Sequence, residues 1–144
     1  MVKAPSYIKQ SGFSLVEVIL ASSIFVLFVT ALVGTLLYGV ESTALAGNRA
    51  QAVLLAEEGL EAIRNIRDDD FSNISDGTYG LAIAGGVWIM TGSSDATGIF
   101  TRAINISSID ANRKHVTSTV SWQQNAQRNG LVSLVTYITN WVSR

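Results

Sequence analysis

Cysteine is absent from the 144 residues and histidine occurs once, at His115. No disulfide can therefore staple the chain, and neither a Cys and His nucleophile pair nor a multi-histidine metal site can form within it. Proline also occurs once, at Pro5. Charge is sparse and nearly balanced, ten basic residues against eleven acidic, which argues against general binding of a phosphate backbone. The twelve glycines form neither a phosphate loop nor a dinucleotide fingerprint, and no serine sits in a nucleophile elbow. His115 falls among Thr and Ser on one side of a strand pattern. No catalytic constellation is expected, and the chain reads as a structural protein rather than an enzyme.

What the sequence does have is one long apolar run. From Phe13 to Tyr38 about 26 residues pass with Glu17 as the only formal charge. At about 1.5 Å of rise per residue, such a helix crosses a bilayer core of about 30 Å with some tilt. An acid at the bilayer centre costs about 2.5–3.5 kcal/mol, less near the interface, so Glu17 calls for a reason. Ahead of the run lies a polar leader, residues 1–12, with Lys3 and Lys9 and no acid. That basic flank holds the N-terminus in the cytoplasm and sends the C-terminal bulk outside. A secretory signal has its small-residue cleavage site after the apolar region. Here the small residue, Gly12, comes before it. A cut there would keep the apolar helix and create a new amine on Phe13, four residues from Glu17.

This arrangement resembles the cleavage signal of the type IV pilin family, which includes the pseudopilins of type II secretion systems. The match is close over about the first 40 residues. The resemblance implies cleavage between Gly12 and Phe13 by a prepilin peptidase, methylation of Phe13, and a role in assembly for Glu17. In an incoming subunit Glu17 would meet the Phe13 amine of one already assembled, a pairing that makes a carboxylate tolerable in an apolar setting. The implied partners are other copies of the chain or related pilins in a helical filament, the peptidase and methyltransferase, and an inner-membrane assembly platform. The implied location is the bacterial inner membrane for the precursor and a periplasmic or cell-surface filament for the mature chain. The function so implied is that of a major or minor pilin. The alternatives are a secretion pseudopilin or a competence pilin in DNA uptake. Many pilins close a C-terminal loop with a disulfide, and this chain departs from them. Loss of the leader would leave eight basic against eleven acidic residues, a formal charge of −3.

The fold class expected is α+β: a long N-terminal helix, apolar in residues 13–40 and amphipathic in 41–70, packed on an antiparallel sheet in 71–144. Ala52, Ala56, Leu60 and Ile63 mark the apolar face of the second half, while Glu57, Glu58, Glu61 and Arg64 lie largely elsewhere. Gly34, Gly39 and Gly47 each weaken the helix by about 1 kcal/mol relative to Ala and mark places where it could bend or melt. The acids after Arg67 should end it. Oxygen-bearing side chains at Asp68, Asp70 and Asp76 raise calcium as a secondary reading. An EF-hand loop counted from Asp68 would need Gly where Asn73 stands, so a solvated turn is preferred and no cofactor is expected.

From Thr78 the period becomes two. Tyr79 to Ala84 and Val87 to Met90 flank Gly85-Gly86, a hairpin signal. Thr91 to Gly98 reads as a loop and Gln123 to Gly130 as a polar connection. Phe100, Ile104 and Ile106 share one side of a strand, with Arg102 the exception there. Val116, Ser118, Val120 and Trp122 alternate with His115, Thr117, Thr119 and Ser121. In Leu131 to Trp141, Val132, Leu134 and Ile138 oppose Val135, Tyr137 and Trp141. Trp88, Trp122 and Trp141, with Tyr79 and Tyr137, could stack on sugars or bases, but core and subunit contacts are the preferred reading.

Overall fold

A computed structural model describes residues 12–125 and 128–141, so Lys3, Pro5 and Lys9 of the expected leader lie outside the described residues. The fold is α+β. Helix α1 (Leu15–Asp69) is followed by a 3-10 turn (Phe71–Asn73). Six strands follow: β1 (Gly77–Ala84), β2 (Val87–Thr91), β3 (Asp95–Thr97), β4 (Phe100–Asp110), β5 (Arg113–Asn125) and β6 (Arg128–Thr139). The chain divides into two compact units, with the boundary between Ser42 and Thr43 inside α1.

In the first unit the helix starts after three irregular residues, Gly12 to Ser14, and runs unbroken through Gly34 and Gly39. Its hydroxyls turn inward on their own backbone. Ser22 and Ser23 donate to the Ile19 carbonyl, Thr30 to Val26 and Thr35 to Ala31, all at 2.8–2.9 Å. Polar side chains are thereby satisfied within the helix, as an apolar surrounding requires.

In the second unit the amphipathic half of α1 lies on the sheet. Ala52, Ala56, Leu60 and Ile63 are all buried, as their spacing predicts. They pack in two clusters, one around Leu60, Ile63, Ile104 and Val116, the other around Ala56, Phe100, Val120 and Trp122. Helix and sheet pack tightly at Gly59, where an added Cβ would stand 2.7 Å from Ser118 Oγ and 2.9 Å from Ile104 Cδ1. A larger residue there would require those side chains to shift.

Every strand pairing is antiparallel, in the order β2-β1-β4-β5-β6, with β3 on β4 beside β1. β1 and β2 form the expected hairpin: Ala84 pairs with Val87, and Gly85 and Gly86 both hold positive φ, 61° and 85°. Two positive φ values in a two-residue loop match the right-handed twist of the flanking strands. On β5 and β6, Gly130 lies opposite Trp122 and an added Cβ there would overlap the indole. The ring fills the space the glycine leaves, an aromatic cover for a strand glycine.

Three readings need correction. Thr91 to Gly98 is not all loop, because Asp95 to Thr97 pair with Arg102 to Phe100 as β3. Gln123 to Gly130 is largely strand: β5 extends to Asn125 and β6 begins at Arg128, leaving residues 126 and 127 outside the described residues. The polarity there reflects exposure of Gln123, Arg128 and Asn129 rather than absence of pairing. Trp141 lies beyond the end of β6 and is exposed, so it belongs to neither face of the strand.

Candidate functional site

The most unusual surface of the chain is the helix of the first unit. Its most apolar 18-residue window is 0% buried, and the helix is long and apolar enough to cross a membrane. Val18, Leu20, Phe25, Leu27, Phe28 and Leu36 are all exposed. A surface this apolar is stable only against lipid or other protein.

Its polar end carries the three residues singled out in the sequence. Gly12 and Phe13 lie in irregular backbone ahead of the helix, and Phe13 is 84% exposed. Among the described residues nothing lies within 4 Å of a Cβ added at Gly12. The Gly12–Phe13 peptide thus precedes the first helical residue, and both of its residues are exposed. Glu17 sits in the first turn of α1. An acid in that position gains about 0.3–1 kcal/mol from the helix macrodipole at a surface site. Only part of the expected desolvation cost is offset that way.

Comparison of the chain with protein-family models, curated proteins and solved structures finds no match.

The remaining polar clusters each have a local partner. Asp68 pairs with Arg67 at 2.7 Å. Asp70 caps the 3-10 turn by accepting from the Ser72 N–H at 2.8 Å, and the Ser72 hydrogen bonds lower its pKa. Asp76 accepts from Lys114 Nζ at 2.8 Å, from Ser108 Oγ at 2.8 Å and from the Ser108 N–H at 2.9 Å. Those contacts, Lys114 foremost, lower its pKa to about 2. The three carboxylates raised for calcium are therefore separately engaged, and no group of three or more His, Asp or Glu placed to hold a metal occurs among the described residues. Lys114 also donates to Ser108 Oγ at 3.0 Å. It acts as a donor to both partners and has no lone pair with which to take a proton from the serine. His115 is half-buried and packs its ring on Tyr137, centroids 5.4 Å apart.

Arg102 is the residue whose role sequence reasoning missed. It is 5% exposed. Its guanidinium donates to Asp95 Oδ2 at 2.9 Å, to Asp95 Oδ1 at 3.3 Å and to the Leu55 carbonyl at 3.0 Å. Asp95 Oδ1 in turn accepts from the Leu81 N–H at 2.9 Å. One fork-shaped cation thus ties α1, β1, β3 and β4 together. Its place on the apolar side of β4 was the available signal, since a buried arginine requires a paired acid. The aromatic residues do not form one platform. Trp122 is buried against Phe100, with centroids 5.7 Å apart, Trp88 packs on the other cluster, and Tyr137 and Trp141 are exposed.

Proposed function

We propose that the chain is a structural subunit, a major or minor pilin, of a type IV pilus-like filament. The observation that carries this reading is the wholly exposed apolar helix whose only charge before Tyr38, Glu17, follows an accessible Gly12–Phe13 bond. Burial of each such side chain against neighbouring subunits stabilises the polymer by about 1.5–3 kcal/mol relative to water. Lipid is already apolar, so extraction from the membrane gains far less and calls for an energy-driven machine. Within the filament the apolar helices form the core and the sheet units the exterior. Glu17 of each entering subunit pairs with the Phe13 amine of a neighbour and sets the axial stagger.

Two measurements test this. N-terminal mass spectrometry of the mature protein is expected to find a chain that begins at Phe13 and carries one added methyl group. Glu17→Ala is expected to insert and be cut normally yet to assemble poorly. An uncut membrane monomer, or full filament yield from the variant, refutes the proposal.

A further inference from the structure

The second unit contains a cleft that the filament reading does not use. It has a volume of about 260 Å³ and lies between the last turns of α1, the 3-10 turn and strand β2. Its apolar lining includes Ile66, Trp88 and Met90, and its polar lining is Asn65, Asp69 and Asn73. Trp88 is half-buried, packed against the core on one side and lining the cleft. β2 ends the sheet order, so among the described residues the backbone donors and acceptors along its outer edge have no strand partner.

We infer that this cleft binds one pyranose ring of a neutral glycan. The C–H face of a sugar is apolar and weakly positive, suited to the electron-rich face of Trp88. Sugar hydroxyls both donate and accept, and so do the amides of Asn65 and Asn73, while Asp69 accepts only. Among the described residues none of these three side chains makes a hydrogen bond or ion pair, and all three are exposed. No lysine or arginine lines the cleft. Asp69 stands between Asp68 and Asp70, so phosphate and carboxylate ligands are repelled. The volume is just below the range of about 300–1,000 Å³ usual for small-molecule clefts, which suits one ring rather than an oligosaccharide. The inference is independent of whether the chain polymerises.

The test is saturation-transfer NMR on the full chain in a polyoxyethylene alkyl ether detergent, since alkyl glycosides would compete for the cleft and phosphocholine headgroups would compete with the cationic control. The probes are glucose, galactose, mannose, N-acetylglucosamine and N-acetylgalactosamine, each alone, with tetramethylammonium as a cationic control. At least one sugar is expected to show transfer. Asp69→Ala with Asn73→Ala is expected to weaken that binding by about tenfold or more, as loss of a hydrogen bond to a charged group implies. Both positions are exposed, and unchanged circular dichroism will show that the variant folds. Trp88→Leu should abolish transfer altogether. Silence from every sugar, transfer unchanged in the double variant, or preferential binding of tetramethylammonium overturns the inference.

Discussion

Removal of both halves of the Arg102–Asp95 pair should cost clearly less than the two single removals added together. Arg102 is 7% exposed at its side chain and Asp95 18%. Either single truncation leaves an uncompensated charge in a nearly dry site, a loss of about 3–5 kcal/mol where the pair is fully buried. The partial exposure of Asp95 puts Arg102→Ala at the low end, about 3 kcal/mol. Asp95→Ala should cost at least as much, because it strands the more buried guanidinium and removes the acceptor of the Leu81 N–H. Glu58 adds little, being 47% exposed and 3.5 Å from the guanidinium. In the double variant neither charge remains, so its cost should fall short of the summed singles by about 2 kcal/mol, within the range of coupling energies for contacting residues. Urea denaturation of the full chain in detergent, followed by far-UV circular dichroism, measures all four corners of the cycle. Additivity within about 0.5 kcal/mol would falsify the account, since that is the behaviour of independent sites.

Other variants probe other parts of the fold. Asp76 has its pKa depressed from 3.8 to about 2, so its contribution to stability is present above pH 3.8 and lost as pH falls toward 2. Asp76→Asn should flatten the acid limb of the pH–stability curve without steepening it elsewhere, as read by circular dichroism. Gly130→Ala should destabilise by about 1–3 kcal/mol through overlap with the Trp122 indole, and a thermal melt unchanged from that of the native chain counts against the packing described. Gly86→Ala should cost about 1–2 kcal/mol through its positive φ, whereas Gly86→Asn should cost less because Asn tolerates that region.

The elements legible in the sequence were those whose burial imposes a period. The α1 face at Ala52, Ala56, Leu60 and Ile63 and the alternation of Val116 to Trp122 were read directly, as was the Gly85-Gly86 turn. β3 was not, because three residues, Asp95, Ala96 and Thr97, carry no measurable period. Its omission concealed the meaning of Arg102, whose acid lies in that strand. The distal ends of β5 and β6 were read as a connection because their side chains are polar and exposed. At the N-terminus, Gly12, Phe13 and Glu17 were legible as a motif. The structure adds that the first two are exposed ahead of the helix and that the acid occupies its first turn.

The way β4, β5 and β6 follow one another has a kinetic consequence. Each strand pairs with the next in sequence across a short connection, so most of the loop-closure entropy is small and the three can zip up quickly. The usual sources of slow folding phases, prolyl isomerisation and disulfide reshuffling, require residue types missing from everything after Pro5. This part of the protein can mature without an oxidant or an isomerase.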